Sequence, residues 1–218
     1  MLNGDKVKIA VFVDWENLRK DIENIQRIHK EFKEKFDYNN AKQVANLIKS
    51  FIEEDEKLYR IFFYTARPLD LTVRHRNNNL EWLDKYIQNN KEQSEKMNKI
   101  ANNIQKFIKD ISFEEYFALR LGELQLQGKD DKDRLIISQK QVDMLLGLDI
   151  SHISYNKLVD SILVFCKDSD ILPALKCARI NGLNVYMAHI ENGFKITEKL
   201  KVHSDKIRIR GIESILKK

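Results

Sequence analysis

The sequence predicts an α/β fold, a mostly parallel central sheet in a three-layer α/β/α arrangement, and three observations lead there. Short apolar runs alternate with amphipathic stretches of helical period along most of the chain. Aspartates stand where those runs end: Asp14 after 7–13, Asp168 and Asp170 after 162–166, and Asp143 at the opening of the stretch that follows 135–137. The 218 residues are enough for one sizeable core carrying an insertion, and two Pro and seven Gly mark no flexible linker.

In chain order, 7–13 reads as a buried strand, and Leu18, Ile22, Ile25 and Ile28 then fall at helical spacing. Val44, Leu47, Ile48, Phe51 and Ile52 predict a second helix, and the aromatic run 58–64 a second strand, parallel to the first across a right-handed crossover. A polar loop at 72–79 leads to two apolar stripes. Leu80, Leu83 and Ile87 form one, and Met97, Ile100, Ile104, Phe107, Ile108 and Ile111 the other, as expected of a helical hairpin or one broken helix. Residues 113–126 have strand character with Gly122 as a bulge or bend, and 128–133 is a polar connection to a further strand at 134–137. Val142, Leu145, Leu146 and Ile150 return to helix. Strands at 162–166 and 183–188 flank a helix with Leu172, Leu175, Ala178 and Ile180, Pro173 in its first turn and Gly182 past its end. A strand at 207–209 and a short terminal helix complete the alternation, with no internal repeat.

Composition narrows the function classes. At 43% hydrophobic and 33% charged residues the chain is globular and not disordered. A formal net charge of +5 and a pI near 9.0 favour a polyanionic partner. Two cysteines, Cys166 in an apolar strand and Cys177 on a helix, leave no disulfide framework or cysteine zinc site and read as core thiols. His29, His75, His152, His189 and His203 lack metal-ligand spacing, and only His75 sits where it would approach a substrate. The run 7–13 is too short for a signal sequence or membrane span, so a cytoplasmic protein without a membrane partner is expected.

In an open parallel sheet ligands bind at the carboxyl ends of the strands, so carboxylates delivered there from distant segments converge. Held together they repel, and a cation relieves them; oxygen ligands in that number suit Mg²⁺ or Mn²⁺. Such a site lowers the pKa of a bound water and steadies a leaving oxygen, the chemistry of phosphodiester hydrolysis. Asp14, Asp143 and Asp168 are the expected metal ligands, Asp170 a further ligand or anchor, and Asn17 a neutral group able to orient a carboxylate, a water or a phosphate oxygen. Taken singly, Asp14 or Asp170 is equally a helix cap and Asp143 a first-turn acid; their common place at one sheet edge is what argues for a site. Asp149, six residues beyond Asp143, lies about 240° round the helix and is expected as a cap or surface residue. Asp160 precedes its strand and belongs at the opposite edge. Around the acids, Lys140, Lys167, Arg67, Arg74 and Arg76 are candidate nucleic-acid contacts. The basic C-terminal stretch with Lys195, Lys199, Lys201, His203, Lys206, Arg208 and Arg210 is a solvated face or a further backbone contact.

Three segments in order, Phe12-Val13-Asp14-Trp15-Glu16-Asn17, Lys140-Gln141-Val142-Asp143 and Lys167-Asp168-Ser169-Asp170, resemble the NYN domain, a branch of the PIN-like nuclease superfamily. The family's pattern is roughly Asp-x-x-Asn after the first strand, Lys-Gly-Val-Asp opening a central helix and Ser-Gly-Asp-Ser-Asp after the fourth strand. The resemblance spans about 7–209. Gln141 stands where the family has Gly, and Cys166-Lys167 replaces Ser-Gly. It implies a PIN-like, Rossmann-like fold, one domain over 1–218 with a helical insertion at about 78–112, and a metal-dependent endoribonuclease using Mg²⁺ or Mn²⁺. By the same resemblance Asp14, Asn17, Asp143, Asp168 and Asp170 form its active site. A homodimer or protein partner stays open.

Other functions are weighed on the same residues. A phosphatase of the haloacid dehalogenase type needs Asp-x-Asp, and the chain has Asp14-Trp15-Glu16-Asn17. A structure-selective DNA nuclease differs through contacts to the 2′-hydroxyl, which sequence does not display. An idle nucleic-acid-binding regulator or scaffold would have no need of several mutually repelling acids.

Overall fold

The structure is a computed structural model that describes residues 6–69, 71 and 81–217. The central apolar runs, 9–13 and 161–165, become strands buried on both faces, and the described strands form one seven-stranded sheet in the order β4-β3-β2-β1-β5-β6-β7. They are β1 Val7–Asp14, β2 Glu56–Arg67, β3 Phe117–Lys129, β4 Leu135–Lys140, β5 Ser161–Phe165, β6 Asn184–Ile190 and β7 Lys206–Arg210. β4 is antiparallel to β3, and all other pairs are parallel.

The helices are α1 Trp15–Ile28, α2 Lys30–Lys35, α3 Ala41–Lys49, α4 Glu81–Asn89, α5 Lys91–Ser112, α6 Val142–Tyr155, α7 Leu172–Ile180, α8 Glu198–Val202 and α9 Ile212–Leu216. Successive side chains of β1 point to opposite faces. Ile9, Val11 and Val13 enter a core with α1, α2, α3 and the end of α5, while Ala10 and Phe12 enter a second core with α6 and α7. The three-layer α/β expectation is met. α2 and α8, of six and five residues, are too short to display a period and were not expected.

The two-stripe segment forms α4 and α5, broken at Asn90. Its ends are built into the protein. Phe107 stacks on Trp15 with ring centroids 4.8 Å apart, and Leu83 and Tyr86 pack with Leu69 and Leu71 against Leu124, Leu126 and Leu135 of the β3–β4 hairpin. Some stripe residues expected inside lie outside: Ile28, Ile100, Ile104 and Ile180 are exposed.

Gly122 is not a bulge, since the β2–β3 ladder runs through it without a shift. A Cβ there would stand 2.5 Å from the Lys140 carbonyl oxygen and 2.6 Å from Val142 Cγ2, so the residue is small because the β4–α6 junction crosses its backbone. The irregularity falls later, between Leu126 and Gly128.

Candidate functional site

Parallel pairing aligns the carboxyl ends of β1, β2, β5 and β6 along one edge of the sheet, and Asp14 ends β1 level with Tyr64 of β2 and, one strand on, Arg120 of β3. β4 runs the other way from beyond that edge, and its last residue, Lys140, lies level with Glu123 and Arg67. α6 therefore starts at the same edge, which brings Asp143 of its first turn to the ends of β1 and β5.

Asp14 is 2% exposed and caps α1. Oδ1 accepts the Asn17 backbone N–H at 3.1 Å and Oδ2 the Asn17 side-chain amide at 2.6 Å. Asn17 turns its own carbonyl oxygen to accept the Lys167 backbone N–H at 3.2 Å, tying the ends of β1 and β5 together. Asp168 caps the 3-10 turn Ser169–Ile171 by accepting the Asp170 N–H at 3.0 Å. The cap role considered for Asp170 thus belongs to Asp168.

Charge couples these groups. Burial raises the pKa of Asp14, the two Asn17 bonds oppose that, and the charge of Asp143 adds to it. Burial also raises Asp143, followed by the charges of Asp168 and Asp170. Burial and then Asp14 push the Cys166 thiol well up, its Sγ lying 3.7 Å from Asp14 Oδ2. The donor set is one that a hard divalent cation suits. Among the described residues, however, no three His, Cys, Asp or Glu side chains are gathered as an ion would require. The expectation that Asp14, Asp143 and Asp168 already stand close enough to share a metal is corrected accordingly. In this arrangement Asp14 accepts at both oxygens and Asp168 at one, each bound to the helix start it caps.

Asp149 is neither cap nor free surface. Its Oδ2 accepts the Tyr64 hydroxyl at 2.8 Å and pairs with Arg120 Nε at 2.8 Å, and burial and then Asp149 raise the Tyr64 hydroxyl. Asp160 accepts the Lys8 N–H at 2.7 Å, at the far edge as expected.

The basic rim is changed most. Lys167 is not available to phosphate: its ammonium pairs with Asp21 of α1 and donates to the Phe194 carbonyl, with the two side chains 12% and 6% exposed. A four-carbon stem beside a strand end can turn inward, and a buried acid two turns along α1 drew it in. Burial lowers the Lys167 pKa, opposed by Asp21. Asp21 has no sequence signal for this role, since a single acid beside Ile22 on an amphipathic helix is ordinary. Arg67 and Lys140 are exposed at the edge, whereas Arg74, Arg76 and His75 lie outside the described residues. In the C-terminal stretch Arg208 is buried against Glu56 at 2.5 Å and Arg210 meets Glu53 at 2.9 Å, so both are structural.

Both cysteines are free, Cys166 buried and Cys177 partly so. Among the described residues no helix is long and apolar enough to cross a membrane. The sequence model of the family described as NYN domain matches residues 8–208. No curated protein and no solved structure matches the chain significantly.

Proposed function

The chain belongs to the NYN domain family, within the PIN-like nuclease superfamily, and on that premise we propose that it is a metal-dependent endoribonuclease working at the acidic edge of its sheet. The electrostatic coupling of acids at one sheet edge carries this reading: after burial, the charge of Asp143 raises Asp14, and the charges of Asp168 and Asp170 raise Asp143. Carboxylates so placed gain from a shared cation what they lose by repulsion.

Asp14 is the fixed member, buried and held at both oxygens by Asn17. Asp143, Asp168 and Asp170 are exposed, Asp168 keeping one oxygen beyond its cap bond, and together with Asp14 they would hold Mg²⁺ or Mn²⁺. Such an ion, when bound, supplies an activated water and charge stabilisation on the leaving oxygen. Asn17 keeps the β1 and β5 ends in register, so that Asp14 and the Asp168 loop face one substrate. Arg67 and Lys140 supply the cationic rim for flanking phosphates, a role in which Arg74 and Arg76 would join them.

The test incubates labelled single-stranded RNA, duplex RNA and DNA with the protein in Mg²⁺, Mn²⁺ or EDTA. Cleavage of single-stranded RNA with either ion and none in EDTA is expected. Asp14→Asn should abolish cleavage while leaving RNA affinity equal or higher. Binding without cleavage in either metal would favour an idle regulator, and preferred cleavage of DNA a DNA nuclease.

A further inference from the structure

The loop between β6 and α8 leaves the sheet at the carboxyl end of β6, the edge that carries the aspartates. Its centre is anchored from below. The Phe194 N–H donates to Asp21 Oδ1 at 2.9 Å, and the Phe194 carbonyl accepts the Lys167 ammonium. Gly193 lies so close that a Cβ there would be 3.2 Å from Asp21 Cγ. The buried ion pair thus holds the backbone of residue 194 by both its polar groups, and Lys167 also gives its own N–H to Asn17 and precedes Asp168.

The side chain presented by this anchored backbone is 50% exposed and belongs to neither core of the sheet. The ring has no aromatic partner among the described residues. Lys195, next in the chain, is exposed and makes no ion pair among the described residues. A pre-positioned aromatic face beside a cation is how single-stranded nucleic acid is held, the ring under a base and the cation on the backbone.

We propose that Phe194 is a base-stacking platform for single-stranded RNA: its ring takes a nucleobase flanking the scissile phosphate, and Lys195 takes an adjoining phosphate. The proposal rests on the nuclease reading above and adds where the substrate's bases go. Burying an ion pair is costly, and here it fixes the backbone that carries an aromatic ring, one lysine side chain away from the Asp168 loop.

The test measures binding of short fluorescent single-stranded RNA in EDTA, with oligomers that each carry one abasic position. Phe194→Ala should weaken binding roughly 5- to 150-fold, the loss of one stack, with an unchanged melting temperature. Phe194→Trp should retain affinity and Phe194→Leu should not. The parent should lose affinity at one abasic position to which Phe194→Ala is indifferent. If the parent binds and cleaves RNA but Phe194→Ala binds as the parent does, or loses the same factor on every abasic oligomer, the stacking role is wrong and the nuclease reading stands. A parent that neither binds nor cleaves RNA overturns both.

Discussion

Replacing Lys167 by Met removes one member of an ion pair whose side chains are 12% and 6% exposed. Asp21 would then remain buried with the Phe194 N–H as its remaining hydrogen-bond donor, at a cost of about 3–5 kcal/mol. In a chain of this length each kcal/mol moves the melting temperature by about 2–4 °C, so a fall of roughly 6–20 °C is expected. Removing both charges should behave differently. Burial lowers the Lys167 pKa despite Asp21, and replacing a buried ion pair by apolar side chains of similar size is often neutral or stabilising. Asp21→Leu with Lys167→Met should therefore recover much of the loss, with a coupling of at least about 1 kcal/mol. The sign in pH follows from the same shift. Between the lowered folded pKa and the ordinary 10.5 the unfolded chain binds the extra proton, so this contribution to stability rises with pH and is lost as pH falls through the folded pKa. The difference between parent and double variant in urea melts from neutral to alkaline pH reads it directly. A single variant that loses under about 1 kcal/mol, or a double variant as unstable as the two singles combined, would refute the reasoning.

Asp143→Asn should raise the melting temperature at neutral pH in EDTA. Its folded pKa is raised, so the group's contribution is fully present below 3.8 and lost as pH rises through the folded value, and the variant's advantage should vanish in acid. A lower melting temperature at neutral pH would contradict it. Gln141 holds φ at 74°, and Gln141→Gly should relieve about 1–2 kcal/mol of left-handed strain against about 0.4–1 kcal/mol of unfolded-chain entropy. The net gain of about 0.5–1 kcal/mol should appear as a rise of about 1–4 °C, and a fall would count against strain there. Replacing Arg67 and Lys140 together by Gln should flatten the salt dependence of single-stranded RNA binding by about 1.4 in the log–log slope, and an unchanged slope would remove them from the rim.

What could be read from sequence followed from local signals. The strand 7–13 is apolar at every position but Lys8 because both faces are covered, and an acid at its end marks the carboxyl edge without any tertiary knowledge. Asp14 and Asp168 stand at strand ends for this reason, and Gln141 in a left-handed conformation accounts for the glycine of the family pattern. The failures came from distance. Nothing around Lys167 tells that Asp21, 146 positions earlier, lies beneath it, nor does Arg208 advertise Glu56. Gly122 looked like a bend because the crossing segment, Lys140 to Val142, is remote in sequence. A lone aromatic such as Phe194, between Gly193 and Lys195, has no period to mark it.

The claim that the acidic edge closes on a divalent ion is tested most directly by calorimetric titration of Mn²⁺ into the protein, Asp14→Asn and Asp143→Asn, with the melting temperature followed alongside. A saturable site in the parent that stabilises it by mass action and is weakened in both variants is the expected result. Absence of a saturable site in the parent, or equal binding by all three proteins, would contradict the account.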